Sequence, residues 1–287
     1  MIIRAANAAD VERCNDIWAS TQSGLGTQPI PYQPLSDHEL ATGRLIVAEV
    51  DGEVAGFGGT LTRSGVLYLA DLFVAPAHQS RGLGRSLLHA LCVEHQGPLF
   101  TFASADPRGQ HLYERFGMHV VEPYHYLDGR VDSLIPWLTD VDLVEARRAD
   151  VLAIDAAITG RDRAADVDYA SGLGASWYSA RRHGERVGVF ALTAPTRWNP
   201  WHPHGACLGP VIAHDDADMA SIVAAALAVV TDLDDRPDVV STFVPSSLAA
   251  LPALLLAGFE VVDTDLLMAT DQALIDRRRY IPTVATP

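Results

Sequence analysis

The sequence predicts an α/β chain with mixed sheets, built as two tandem units, and three observations carry that prediction. Residues 66–91 read as a buried strand, a glycine-bearing turn and an amphipathic helix. A chain of 287 residues exceeds one typical domain and suits two of about 140. The order of elements up to residue 127 recurs from 141 to 269, and Leu254-Leu-Leu-Ala-Gly258-Phe259 echoes Tyr113-Glu-Arg-Phe-Gly117-Met118. The units are expected at 1–138 and 139–287, joined by a link within 128–140.

In the first unit, Ile2 to Ala5 is a short strand. Asn7 then caps a helix that presents Val11, Cys14, Ile17 and Trp18 on one face. Gln22 to Pro34 is a Gly/Pro-rich loop, and Ser36-Asp-His-Glu39 has the form of a capping box opening a second helix. Leu45 to Val50 and Val54 to Thr62 flank Asp51-Gly52, a strong hairpin signal. Gly56, Gly58 and Gly59 in the second of these strands indicate a close neighbour, backbone or ligand. Val66 to Val74 is apolar and aromatic enough for a buried strand, and Pro76 ends it because proline has no N–H for the ladder. Leu83, Leu87, Leu88 and Leu91 mark the helix that follows. Leu99 to Ala103 is a further strand. Asp106 and Pro107 read as N-cap and N1 of a helix carrying Tyr113 and ending at Gly117, and Met118 to Leu127 closes the sheet.

The second unit repeats the pattern. Strands are expected at 141–147, 176–181, 186–193, 207–213, 239–244 and from Gly258 to about Ala269. Helices are expected at 149–158, 163–170, 217–230 and 247–257.

Composition narrows the class. The net charge of −15 argues against nucleic acid as a partner and is compatible with a cationic amine. No run of about 18 apolar residues exists, so no membrane span is expected, and the N-terminus does not read as a signal peptide. Three cysteines without metal spacing fit reduced thiols in a cytoplasm, and no metal is expected. All 21 basic residues are Arg, consistent with a GC-rich, bacterial genome.

A glycine-bearing turn opening a helix leaves N–H groups aimed outward at the positive end of the helix dipole, which suits a phosphate. Gln79-x-x-Gly82-x-Gly84 after Val74-Ala-Pro76 resembles the acyl-CoA pyrophosphate loop of the GNAT superfamily of N-acetyltransferases. Tyr113-Glu-Arg-Phe-Gly117-Met118 looks like that family's second signature, with Met118 where Phe is usual. The resemblance implies an acetyl-CoA-dependent N-acetyltransferase acting on a primary amine of a small molecule or a protein N-terminus. The alternative is a non-catalytic acyl-CoA-binding or regulatory protein. It implies cosubstrate contacts at Leu72, Phe73 and Val74, at Gln79, Ser80, Arg81, Gly82, Leu83, Gly84 and Arg85, and at Asp106. A monomer or homodimer is expected.

Acetyl transfer from a thioester makes three demands. The amine must lose its proton, the carbonyl oxygen must be stabilised as it gains charge, and the thiolate should be protonated as it leaves. By resemblance, a backbone N–H on a bulged strand near Leu72 to Val74 meets the second demand and Tyr113 the third. For the base, the alternate positions before Val-x-Pro are Ala70 and Tyr68, neither of them basic. By period two Asp71 should point to the opposite face, which leaves an ordered water, Glu49 or His111.

The second unit lacks both motifs. Ala213-His-Asp-Asp-Ala-Asp-Met219 would repel a phosphate, and Leu254 stands where Tyr113 does. The Trp198-Asn-Pro-Trp201-His-Pro-His204 loop reads as packing, as a pair of metal-binding histidines, or as one wall of an acceptor pocket between the units.

Overall fold

The computed structural model describes residues 1–22, 35–196, 199, 201–283 and 285–287. The predicted loop beyond Gln22, and Trp198, lie outside the described residues. The elements run β1 (Ile2–Ala5), α1 (Val11–Thr21), α2 (Leu35–Thr42), β2 (Arg44–Val50), β3 (Glu53–Arg63), β4 (Val66–Val74), α3 (Leu83–Cys92), β5 (Leu99–Ala103), α4 (Pro107–Glu114) and β6 (His119–Arg130). After the link come β7 (Asp142–Glu145), α5 (Arg148–Thr159), α6 (Ala164–Gly172), β8 (Ala175–Arg182), β9 (Glu185–Thr193) and β10 (Ala206–Ala213). The chain continues with α7 (Met219–Asp232), β11 (Val239–Pro245), α8 (Leu251–Leu256), β12 (Phe259–Ala269) and β13 (Tyr280–Ile281). No described helix is long and apolar enough to cross a membrane.

Both halves share one mixed sheet of 13 strands, in the order β1-β2-β3-β4-β5-β12-β6-β11-β10-β9-β8-β7, with β13 on β10. The expected closure of the first sheet by residues 118–127 is corrected here. The neighbour of β5 is β12, from the far end of the chain, through Leu266↔Ala103 to Ala269↔Phe100. β6 lies one place further on, between β12 and β11. The halves therefore exchange their terminal strands.

Four apolar clusters hold the layers. α3 covers β2 to β5 with Leu83, Leu87, Leu88 and Leu91, the stripe expected from their spacing. α7 and α8 cover the second half through Ile222, Val223, Leu227 and Leu254. α1 packs Cys14 and Ile17 against Val47 and Phe57. A further cluster, with Tyr68, Phe100, Tyr124, Ile154, Phe243 and Tyr280, draws on both halves. At ~25 cal/mol per Å² of apolar surface removed from water, such a shared core resists separating the halves.

The expected capping box at Ser36 is not formed. Ser36 lies inside α2, whose helical residues begin by Leu35, and the Glu39 side chain turns inward. A capping box does occur at Asn7. Its side chain accepts from Ala9 N, and Asp10 accepts from Asn7 N.

Candidate active site

The sheet forks where β4 meets β5. The two pair in parallel only at Leu67↔Leu99 and Tyr68↔Phe100, and the Thr101 hydroxyl donates to Leu69 O at 2.9 Å where they part. Beyond that point Asp71 to Val74 stay paired to β3, while their other edge has no strand partner among the described residues. Gln79 sends its side-chain amide to Val74 O at 3.1 Å, tying the following loop to the end of β4.

That loop has the backbone its glycines permit. Gly82 caps α3 with φ of 85°, a left-handed conformation that costs glycine little. A Cβ added at Gly84 would meet only Leu112 and Val74, at 3.8 Å, so the protein's own packing does not require glycine there. The approach that Gly84 leaves free is available to a ligand at the helix N-terminus. Arg81 and Arg85 are exposed and form no ion pair among the described residues. A groove of about 460 Å³ leads from Arg85 and Ser86 past His89 to Arg115 on the neighbouring turn. Asp106 is committed elsewhere. It caps α4 by accepting from Arg108 N at 2.9 Å, and it pairs with the Arg108 guanidinium at 2.7 Å.

The side chain that the sequence left facing the wrong way is Asp71. β4 carries a bulge: Gly59 pairs with Asp71, but the next residue of β3, Thr60, pairs with Leu69, so Ala70 is extra. The bulge slips the alternation. Leu67 and Leu69 before it, and Leu72 and Val74 after it, all face α3. Tyr68 and Asp71 therefore both face away from α3, toward α2.

There Asp71 meets Glu39. A Cβ built on Gly59 would lie 1.8 Å from Glu39 Oε1, so the Glu39 carboxyl occupies the space a side chain at Gly59 would take. Glu39 is fully buried. It contacts the Asp71 carboxyl, and its oxygens have no other hydrogen-bonding partner among the described residues. Burial, and then the neighbouring Asp71 carboxylate, push Glu39 well above the usual carboxylate range. Burial likewise raises Asp71, to about 7, against a hydrogen bond with Glu39 that favours its charged form. Two such carboxyls titrate as a unit holding one shared proton over a wide pH range.

Tyr113, on α4, packs against the α3-side cluster, within electrostatic reach of Asp71. Its phenol is raised by burial and by the fields of Asp265, Asp106 and Asp71, so it remains protonated at neutral pH. Asp265 comes from the exchanged strand β12 and accepts the Tyr126 hydroxyl at 2.9 Å. The other candidates for a base lie elsewhere. Glu49 accepts two bonds from the Arg4 guanidinium, at 2.7 and 2.9 Å, and His111 is exposed on α4.

The second half has the same fork, occupied differently. β10 pairs with β11 only at Ala206↔Val240 and Cys207↔Ser241, and it carries an equivalent bulge between Leu208 and Val211. Its free edge is taken by β13, through Val211↔Ile281 and Ile212↔Tyr280, and by Ala213 N donating to Arg279 O at 2.9 Å. At the start of α7, Asp215 caps Ala217 N at 3.0 Å and Asp218 pairs with Arg182. Leu254 is buried in the α7–α8 core. In the Trp198–His204 segment, His202 bonds Asp128 at 2.7 Å and Trp201 meets Trp18 of α1 edge-on at 5.7 Å. No metal-binding group occurs among the described residues.

The comparisons with known proteins agree with this architecture. Residues 41–118 match the family model described as an acetyltransferase (GNAT) domain. A Bacillus subtilis protein assigned as a ribosomal protein bS18 alanine N-acetyltransferase is 26% identical over 145 residues, 48% of this chain and 94% of that protein. An acetyltransferase structure from Pyrococcus horikoshii superposes with a TM-score of 0.77 at 18% identity, covering 100% of this chain and 95% of the other. A tandem GNAT protein of the clavulanic acid biosynthesis pathway superposes with a TM-score of 0.63 at 17% identity, covering 94% and 98%.

Proposed function

Because the chain belongs to the GNAT superfamily of acetyltransferases, we propose that its first half transfers an acetyl group from acetyl-CoA to a primary amine. The acceptor is a small molecule or a protein N-terminus. The observation that carries this reading is the β4–β5 fork, with the Gly82 loop after β4, Asp71 beside the opening, and Tyr113 within electrostatic reach of Asp71.

Acetyl-CoA supplies an activated acyl group on a thiol that leaves. The chain's residues do the rest. N–H groups of the Gly82 loop, with Arg81 and Arg85, hold the pyrophosphate, and the groove toward Arg115 takes the nucleotide end. Asp71, ionised near neutral pH, accepts the proton of the acceptor ammonium. Burial keeps Asp71 a stronger base than a solvated carboxylate would be, and Glu39, which retains the proton the pair shares, favours the ionised form of Asp71 through its hydrogen bond. The amine nitrogen then bonds to the acetyl carbon as the C–S bond breaks. Backbone N–H groups on the open edge of 72–74 stabilise the carbonyl oxygen, and Tyr113 gives its proton to the departing sulfur.

Residues 1–138 supply the catalytic groups in this reading, and 139–287 bind no acetyl-CoA. A non-catalytic acyl-CoA binder is the alternative suggested by Ala70 and Tyr68 at the expected base positions; the bulge, which brings Asp71 to the face of Tyr68, supports the catalytic reading. A cytoplasmic, bacterial setting and a monomeric or dimeric state complete the proposal. Titration calorimetry with acetyl-CoA should give one site per chain, lost in Gly82→Glu. Two sites would show that the second half binds as well, and none would sink the reading.

A further inference from the structure

Helix α2 has two engaged faces. On one, Glu39 fills the niche over Gly59. On the other, one helical turn apart, His38 meets Asp166 of the second half and Thr42 meets Arg63, which bonds the same Asp166. His38 Nε2 lies 2.8 Å from Oδ1 of Asp166, a residue of α6, and the His38 ring stacks on Tyr169 of the same helix at 4.3 Å. Arg63, at the end of β3, donates to both Asp166 oxygens, at 2.6 and 3.0 Å. The same guanidinium donates to Thr42 O at 3.0 Å and to the Thr42 hydroxyl at 2.9 Å. His38, Arg63 and Asp166 are all buried.

We infer that Asp166, a residue of the second half, is a positioning residue for the base: by fixing the register of α2 it holds the Glu39 carboxyl over Gly59 and against Asp71. The inference rests on the reading of Asp71 as the base. The leverage is geometric. His38 and Glu39 are adjacent, and one residue of slip moves a helical side chain about 1.5 Å along the axis and about 100° around it. The niche above Gly59 tolerates neither displacement. Asp166 can bear this role because it stays an anion. Burial alone would raise it, but hydrogen bonds from His38 and Arg63 outweigh that and hold it at about 2.

Around the carboxyl pair itself stand Cys14 of α1, Tyr68 of β4 and Tyr113 of α4, with Asp265 of β12 beyond the tyrosines. No cation is bonded to the pair among the described residues; Arg63 and His38 are engaged across α2. Loosening α2 lets water reach Asp71; the relief of burial, the larger of the two effects on Asp71, outweighs the loss of the Glu39 hydrogen bond, and its pKa falls toward the ordinary carboxylate value.

The test compares kcat/KM against pH in the full chain for wild type, Asp166→Asn, Thr42→Val and Asp71→Asn, with calorimetric acetyl-CoA binding as the control for folding. Thr42 is exposed, so its variant removes one hydroxyl at little risk to the core. We expect the acid limb to move down by about one pH unit in Asp166→Asn, and by less in the same direction in Thr42→Val, with acetyl-CoA affinity unchanged. Asp71→Asn should lose about 10²- to 10⁴-fold in rate. A rate that falls equally at every pH in Asp166→Asn, with the acid limb in place, would reduce Asp166 to a structural contact and overturn the inference. Should that variant not fold, an unmoved limb in Thr42→Val overturns it alone. Full activity in Asp71→Asn would remove the base, and this inference with it.

Discussion

Substituting alanine for Gly59 tests the carboxyl pair with a single methyl group. Gly59 lies in the interior of β3 with no positive φ, so alanine suits its backbone, and the loss of unfolded-chain freedom would by itself stabilise by about 0.4–1 kcal/mol. The methyl, however, would lie 1.8 Å from Glu39 Oε1, 2.0 Å from Cδ and 2.2 Å from Oε2. The carboxyl must retreat by more than an ångström from a site where it is wholly buried. Overpacking of this kind costs about 1–3 kcal/mol, so the net effect is a loss of about 1–2 kcal/mol and a fall in Tm of about 2–6 °C. The chemical effect is separate. Asp71 loses the hydrogen bond that favours its charged form while its burial persists beside the added methyl, so its pKa rises, at about 1.4 kcal/mol per unit. Thiol release measured with saturating acetyl-CoA between about pH 5 and 9 should show the acid limb displaced to higher pH, with less activity left at neutral pH. A lower Tm with an unmoved limb would refute the coupling of Glu39 to Asp71, and no change in either would refute the packing.

Further outcomes follow from other parts of the site. Tyr113→Phe should lower turnover about 10²-fold with little change in acetyl-CoA affinity, and unchanged turnover would leave Tyr113 a packing residue. Because burial raises both Glu39 and Asp71 above their unfolded values, their contribution to stability is full below about pH 4 and fades as pH rises through the folded values. Glu39→Gln, neutral throughout, should therefore raise Tm at about pH 8 and match wild type near pH 4; an equal gain at both would contradict the sign. Residues 1–138 expressed alone should be insoluble, since β5 would lose β12 and expose an unpaired edge beside Phe100 and Phe102. A soluble, fully active fragment would show that the strand exchange is dispensable.

What the sequence could disclose depended on how local each signal was. The strand, loop and helix around Gly82 were legible because proline, glycine and the leucine spacing each act within a few residues. The helix that carries Tyr113 was legible from the motif around it. Asp71 was not, because counting faces by twos presumes a regular ladder, and the extra residue at Ala70 reverses the count for everything after it. Glu39 was misread for a different reason: Ser-x-x-Glu describes a cap wherever a helix happens to start, and α2 starts earlier. A clue was present in Gly59, whose missing side chain marks the space Glu39 takes, but glycine does not say what approaches it. The strand exchange was illegible in principle. β6 and β12 have similar patterns, and either could have lain beside β5. In the Trp201 segment, the structure favours packing against Trp18 and Asp128 over a pair of metal-binding histidines.

The short strand β13 gives the second half an occupant it cannot lose. Tethered to the same chain, Tyr280 and Ile281 present themselves to β10 at a high effective concentration, whatever the supply of acetyl-CoA. In the proposed reading, one half of the molecule stays in the equivalent of its filled state, while the other would fill and empty with each turnover. The same permanence makes the second half a fixed frame. From it Asp166 bonds His38 and Arg63, and Asp265 accepts the Tyr126 hydroxyl. On the proposed reading, the second half serves as the bench on which the first is clamped.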